Sequence, residues 1–288
     1  DLSGLRYLGN IGGPITFQKK SKLKTTPFGP YISNLMGIKM KDDKGLLMGP
    51  PPMCASNRNG IYVNPINVNV KALSRQKPSL DQDLCSQVID LLSNHLSSKF
   101  TRDLKPLTVQ AAVNGHNEDA YLRSMNTSTS SGFGWLGLKS EQLPMVGVIR
   151  EPTEKLAIRI TSIMESYRNG ETQGAYYTGC LKDEARSREK NELGKTRMFY
   201  ISSVEQVILA RMFLFPFYSL MVEDGETFGS AVGINMHKVT STVEKMLDFS
   251  PILFEGDYQW FDKSMPVDVP QMVHAIVYRF LKNCGYNE

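Results

Sequence analysis

Apolar residues keep helical spacing in several stretches of the chain. Leu84, Val88, Leu91, Leu92 and Leu96 recur at three- and four-residue intervals and predict a helix over about Asp81–Ser98. Leu156, Ile160, Ile163 and Tyr167 form one stripe and predict a second over Thr153–Arg168, with Thr153 as its N-cap. Met272, Val273, Ile276, Val277 and Phe280 predict a last helix that begins after Pro270 and stops near Gly285. A longer, almost wholly apolar helix starts near Ser203 and is expected to bend at Pro216. Met198–Ser202 reads as a strand, and Ile252–Phe254 as a buried strand leading into Asp257. Lys182–Arg197 has no apolar face and contains Gly194, so loop plus short strand is expected there. The first eighty residues are rich in Gly, Pro, Asn and Lys. Pro50-Pro51-Pro52 and the Asn57–Asn69 stretch read as extended or looping chain, and Asn126–Gly134 as a turn of small residues. Helices and strands follow one another irregularly, without repeats, which is an α+β order and not a βαβ alternation.

Composition changes this picture little. With 288 residues, 41% hydrophobic and 22% charged, the chain can bury one large core or two ordinary ones. The net charge of +4 is uninformative, but its distribution is not. Between Lys19 and Lys44 seven lysines face only Asp42 and Asp43, and between Lys182 and Arg197 six basic residues face four acids. Such density suits a phosphate backbone or a triphosphate, and it also suits a solvated surface. Cys54, Cys85, Cys180 and Cys284 are too scattered for a zinc site and read as reduced thiols. The four histidines, His237 among them, sit in no ligand pattern. The opening Asp-Leu-Ser-Gly has no signal-peptide character. No apolar run is expected to cross a bilayer, because the richest, Val204–Val222, is interrupted by Arg211 and Pro216.

Four segments could carry chemistry. In Phe254-Glu255-Gly256-Asp257-Tyr258-Gln259-Trp260-Phe261-Asp262, two carboxylates five positions apart follow an apolar run. Nucleotidyl transfer needs carboxylates so placed for magnesium, although two solvated turn acids look the same in sequence. Lys182-Asp183-Glu184-Ala185-Arg186, Lys190 and Gly194-Lys195-Thr196-Arg197 can line a channel, with Arg forking onto phosphate oxygens. Gly194-Lys195-Thr196 is not a P-loop, since Glu189 stands where the Walker pattern requires Gly. The hydroxyl-rich run Asn126–Trp135 and the small-residue loop Gly229–Asn235 are nonspecific by themselves.

Taken in order, these pieces resemble the picornavirus-like viral RNA-dependent RNA polymerases over nearly the whole chain. Ser21-Lys22-Leu23-Lys24 is similar to a fingertip stretch of that family. Ala112-Val113-Asn114-Gly115 and the turn through Trp135 resemble the next landmarks. Leu181–Phe199 resembles motif F, Gly233-Ile234-Asn235 the loop before the palm, and Asp257–Asp262 motif A, Asp-x4-Asp. Ala185 replaces the usual Leu, and Gly132-Phe133-Gly134-Trp135 replaces a Gly-Tyr-Pro sequence. Motif B, a Gly-Asp-Asp motif C, and the motifs and thumb that follow them are not found.

The resemblance implies right-hand polymerase fingers at 1–212 with motif F at 181–199. The beginning of the palm lies at 213–288 with motif A at 254–262, and palm core and thumb are missing. It implies template-directed RNA synthesis from ribonucleoside triphosphates with Mg2+, for which Mn2+ can substitute. Asp257 would hold the metal, and Asp262 would accept a hydrogen bond from the ribose 2′-hydroxyl. Lys182, Arg186, Lys190, Lys195 and Arg197 would line the nucleotide path. Lys20, Lys22, Lys24, Asn126, Ser131, Gly132 and Arg188 would contact RNA. Implied partners are a single-stranded template, a primer or protein primer, and the remainder of the polymerase. The implied location is host cytoplasm at membrane-associated viral replication complexes. Lacking half of the catalytic carboxylates, the chain alone is expected to be inactive. A non-enzymatic RNA-binding module and another right-hand polymerase such as a reverse transcriptase stay open beside this reading.

Overall fold

The structure is a computed structural model that describes residues 5–9, 18–24, 28–37, 41–42, 45–46, 48–58, 60–75, 77–116, 121–235, 237, 239–258 and 261–286. Its helices are α1 (Gly29–Met36), α2 (Pro65–Leu73), α3 (Gln82–Lys99), α4 (Val109–Asn114), α5 (Lys139–Gln142), α6 (Glu154–Arg168), α7 (Arg188–Glu192), α8 (Val204–Glu223), α9 (Val239–Phe249), α10 (Phe261–Ser264) and α11 (Asp268–Asn283). Its strands are short: β1 (Lys41–Asp42), β2 (Gly45–Leu46), β3 (Met48–Gly49), β4 (Ser56–Arg58), β5 (Ile61–Val63), β6 (Met145–Val146), β7 (Ile149–Arg150), β8 (Tyr177–Leu181), β9 (Arg186–Ser187) and β10 (Met198–Ser202). They pair in twos, as β1–β2, β3–β9, β4–β5, β6–β7 and β8–β10. The chain divides into two compact units, one of residues 1–76, 178–201 and 262–264, the other of residues 77–177, 202–261 and 265–288.

In the first unit, more of the Gly- and Pro-rich region is regular than its composition suggests. The Asn57–Asn69 stretch, expected to loop, is the β4–β5 hairpin followed by α2. Asn64 explains the change, because its Oδ1 accepts from the N–H groups of Ile66 and Asn67, and Pro65 takes the first helical position, where it needs no donor. The strand β3 pairs antiparallel with β9, Met48 opposite Ser187 and Gly49 opposite Arg186. Residues 48–52 are thereby tied to the basic segment far along the chain. Lys182–Arg197 itself holds the short helix α7 besides the expected strand, a helix too short to display an apolar face.

The second unit has two cores threaded by one helix. Ala112 and Val113 of α4, Leu156, Ile160 and Ile163 of α6, and Val204, Ile208, Leu209 and Met212 of α8 form the first with Met125 and Leu143. Leu96 of α3, Leu220 of α8, and Ile276, Phe280 and Leu281 of α11 form the second with Cys284. Phe100 stacks on Phe228 at 5.3 Å, and Phe217 meets Phe280 edge-on at 5.6 Å. α8 is apolar all round because its two halves serve different cores. By length and composition it could cross a membrane, contrary to expectation. Its packing, and Arg211 bonded to the carbonyls of Ala112 and Arg123, account for it as a core helix.

Other expectations fare unevenly. α3 starts one residue after Asp81, whose carboxylate caps it, but Leu84 and Leu91 of the expected stripe are exposed. Thr153 stands at the N-cap of α6, yet its hydroxyl is buried without a partner. α11 begins at Asp268, before Pro270, since a missing N–H is harmless in a first turn. α9 was not anticipated. The buried strand at Ile252–Phe254 is absent: residues 252–258 are outside any helix or strand, and Phe254 is 95% exposed. A strand forms only where another chain segment meets its N–H and C=O groups, and no described segment does so here. All four cysteines are free thiols.

Candidate functional site

The first unit builds its site around Glu184. Lys182 Nζ lies 2.9 Å from Glu184 Oε2, and the guanidinium groups of Arg186 and Arg197 each lie 3.4 Å from Glu184 Oε1. Burial raises the affinity of Glu184 for a proton. The Lys182 hydrogen bond and the charges of Arg197, Lys182 and Arg186 outweigh it, so the pKa falls below the usual carboxylate value. One carboxylate thus spaces three cations without neutralising them. Arg186 is largely enclosed and also donates to the Lys195 carbonyl at 3.3 Å, whereas Lys182 and Arg197 are about half exposed or more. The exposed pair can meet a polyanion, and the carboxylate of Glu184 that they share sets their separation.

The backbone under these side chains is pinned from several directions. The Lys182 N–H donates to the Arg197 carbonyl at 2.8 Å, closing the segment on itself. Buried Thr196 donates its hydroxyl to the Pro52 carbonyl at 2.7 Å, and its own carbonyl accepts from Asn69 Nδ2 at 2.8 Å. Asn191 Nδ2 reaches the Gly49 and Arg186 carbonyls. Gly194 has a φ of +63°, and a Cβ there would run into Val63 of β5.

Asp183, beside Glu184, binds the N-terminal segment. It accepts from the Ser21 hydroxyl, from Gln18 Nε2 at 2.7 Å and from the Lys22 N–H at 2.7 Å. The Ser21 bond leads in lowering its pKa; burial opposes, and the bonds from Lys22 and Gln18 add. Lys20, Lys22 and Lys24 therefore lie on a tethered stretch with their side chains exposed. Lys190 is exposed on α7, Lys195 is half-buried, and Arg188 pairs with Glu192 one turn along at 2.9 Å.

The two acids of the Asp-x4-Asp pattern divide between the units. Asp262 is exposed in the first, where the Tyr200 pKa is raised chiefly by burial, with the Asp262 charge adding. Its neighbour Lys263 is buried, bonded to Asn69 Oδ1, and lowered in pKa chiefly by burial, with Asp262 opposing and Arg197 adding. Asp262 and Arg197 thus act on one ammonium group. Asp257 is exposed in the second unit, on the segment without regular structure. Gln259 and Trp260 lie outside the described residues. Among the described residues no three acids, histidines or cysteines gather as a metal site.

The hydroxyl-rich turn is shaped from within. Asn126 is exposed and accepts from the Ser128 N–H and hydroxyl. Ser131 is fully buried, and its hydroxyl has no partner. Gly132, φ +83°, lies against the Ser202 and Ser203 backbone so closely that a Cβ has no room. Buried Lys139 donates to Thr129 Oγ1 at 2.7 Å and to the Ser130 carbonyl at 2.9 Å. Asn126 is left facing solvent, while Ser131 and Gly132 set the path of the turn.

Glu184, Asp183, Asn69, Thr196, Lys139 and Lys263 were missed as site residues. For the first two a signal exists, since acids interleaved with cations over Lys182–Arg186 mark a spaced cluster. Asn69, Thr196 and Lys263 act through contacts across long stretches of chain, and Lys139 through the fold of its own turn, neither of which spacing reveals.

Comparison with known proteins agrees with this architecture. The family model for viral RNA-dependent RNA polymerase matches residues 52–284. The replicase polyprotein of Acute bee paralysis virus (strain Rothamsted) is 26% identical over 239 residues, 80% of this chain and 12% of the polyprotein. The genome polyprotein of Human rhinovirus 1B is 26% identical over 222 residues, 75% of this chain and 9% of the polyprotein. Among solved structures, the Sicinivirus 3Dpol RNA-dependent RNA polymerase superposes with a TM-score of 0.73 at 18% identity, covering 96% of this chain and 57% of its own. The chain shares that fold while spanning little more than half of the solved polymerase and about a tenth of the polyproteins.

Proposed function

Since this chain belongs to the viral RNA-dependent RNA polymerases, we propose that it forms the fingers (1–212) and the opening of the palm (213–288) of an enzyme that copies RNA from ribonucleoside triphosphates. The observation that carries this reading is the set of Lys182, Arg186 and Arg197 spaced around Glu184 on a pinned backbone. A triphosphate approaching it meets cations already placed, so little side-chain ordering remains to oppose binding. Lys190 and Lys195 extend the same positive field. Lys20, Lys22, Lys24 and Arg188 add phosphate contacts along RNA, and Asn126 adds a polar one.

Magnesium fits the donor set in part. Asp257 is an exposed hard oxygen ligand, and magnesium is commonly held by one or two carboxylates together with substrate phosphates. When bound, the metal supplies Lewis-acid stabilisation of the transferring phosphoryl group. Asp262, exposed in the first unit, accepts the 2′-hydroxyl hydrogen bond. The remaining carboxylates come from the rest of the polymerase, so this chain alone extends no primer. The working location is the host cytoplasm at membrane-associated replication complexes.

The test is primer extension by the complete polymerase containing this chain. Loss of Lewis-acid stabilisation worth several kcal/mol predicts that Asp257→Asn lowers incorporation by about a thousandfold, at ~1.4 kcal/mol per tenfold, with RNA binding retained. Asp262→Ala narrows the preference for ribo- over deoxyribonucleotides. Activity of Asp257→Asn within about tenfold of the parent refutes the metal role. RNA binding by the complete protein without any magnesium-dependent incorporation makes it an RNA-binding module instead.

A further inference from the structure

The second unit contains a cleft of about 490 Å³ lined by the 133–135 loop, one face of α6, residues 174–176 and the start of α8. Its size is within the range of small-ligand sites, roughly 300–1,000 Å³. Its chemistry is unusually specific. Phe133 and Tyr176 meet at 5.1 Å between ring centres, and Tyr176 is 55% exposed, which offers a flat aromatic surface to solvent. Trp135 lies partly buried against the first core, with Lys155 Nζ 5.1 Å from its ring. Lys155 and Arg159 are exposed cations on the same helix face.

Glu205, only 6% exposed, also lines this cleft. Trp135 Nε1 donates to its Oε2 at 2.7 Å, while Arg159 Nε stands 4.0 Å from Oε1. A carboxylate has about four acceptor positions, so most of the capacity of this one is unspent, and a buried charge gains by filling it.

We infer that this cleft binds a guanine base carrying a 5′-phosphate. A planar base stacks on Tyr176 and Phe133, as bases do on exposed aromatic rings. The edge facing Glu205 must present donors only. Guanine is the one common base with two adjacent donors on one edge, N1–H and the N2 amino group, and they match the two oxygens of a carboxylate. Adenine and cytosine set a lone pair beside their amino group, and uracil flanks its N–H with carbonyls, so each turns an acceptor towards the carboxylate. Lys155 and Arg159 then receive the phosphate. The guanine can come from a free nucleotide or from an unpaired residue of single-stranded RNA. The site lies within the second unit and does not depend on polymerase activity.

The experiment is titration of the 288-residue chain, with Trp260→Phe so that Trp135 is the single tryptophan, followed by its fluorescence. GMP is expected to quench, binding at least about tenfold more tightly than AMP, CMP or UMP. Glu205→Gln abolishes the preference. Because this variant removes a buried bond and can disturb folding, two surface variants accompany it. Tyr176→Ala weakens all four nucleotides, and Lys155→Ala weakens GMP but leaves guanosine unchanged. Equal binding of GMP and AMP overturns the inference, as does GMP binding unaffected by Tyr176→Ala and Lys155→Ala. Competition by a short unstructured RNA with one guanosine identifies the source as RNA; binding of GMP without such competition identifies a free nucleotide. Either result supports the site.

Discussion

The Lys182–Arg197 segment and residues 250–258 both carry charges that the proposed function uses, and they are built in opposite ways. The first has cations clustered on a backbone held by Pro52, Asn69, Gly49 and its own hairpin closure. The second leaves Ile252 and Phe254 largely exposed, and the Ile252 N–H donates to the Ser250 hydroxyl at 3.1 Å. The difference teaches where preorganisation must originate. Like charges crowded together repel, so their spacing has to be enforced by nearby chain whether or not a ligand is present. A single carboxylate such as Asp257 has no internal repulsion to manage, and no described segment pairs with the strand-like sequence before it.

Amide hydrogen exchange probes this contrast most directly. Protection at Lys182, Leu193 and Lys195 is expected to exceed that at residues 253–258 by at least about a hundredfold, since local opening free energies range from near zero to the global value. Equal protection breaks the comparison.

Thr196→Val comes next. It leaves the Pro52 carbonyl without its buried donor and should cost about 1–3 kcal/mol in chemical denaturation. Asp257→Asn should change stability by less than about 0.5 kcal/mol, as surface substitutions do. A reversed order would place the anchoring elsewhere.

Acid sharpens the picture further. The folded pKa values of Asp183 and Glu184 are depressed, so the stability they confer is present above their unfolded values, 3.8 and 4.5, and is lost as pH falls through the folded ones. Once pH falls below 3.8 and through the lower folded value of Asp183, the Gln18–Lys24 stretch should become sensitive to pepsin in the parent protein. In Asp183→Asn the same stretch should already be sensitive near neutral pH to a protease active there. If cleavage of the parent does not change with acidity, the Asp183 tether is not what holds it.

The smallest effect concerns RNA affinity. Binding of single-stranded RNA should weaken with salt, and replacing Lys22 by Ala should reduce the logarithmic salt slope by about 0.7, the value for one phosphate contact. An unchanged slope assigns Lys22 to ordinary surface.

Much of this protein can be read from its sequence because the physics involved is local. The helices of Gln82–Lys99, Glu154–Arg168 and Asp268–Asn283 follow from apolar periodicity, that of Val204–Glu223 from its unbroken apolar length, and the Lys182–Arg197 cluster and the Asp-x4-Asp pattern from residue type and spacing. Asn64 capping α2 is equally local and was masked only by the Gly and Pro around it. What the tertiary structure alone decided is which polar groups meet across the chain. Glu184 became a hub, Thr196 and Asn69 became anchors more than a hundred residues apart, and Ser131 and Gly132 turned inward. Whether Ile252–Phe254 forms a strand belongs to the same class. Its side chains favour one, but a strand is a relation between two segments, and no periodicity in one of them can supply the hydrogen bonds of the other.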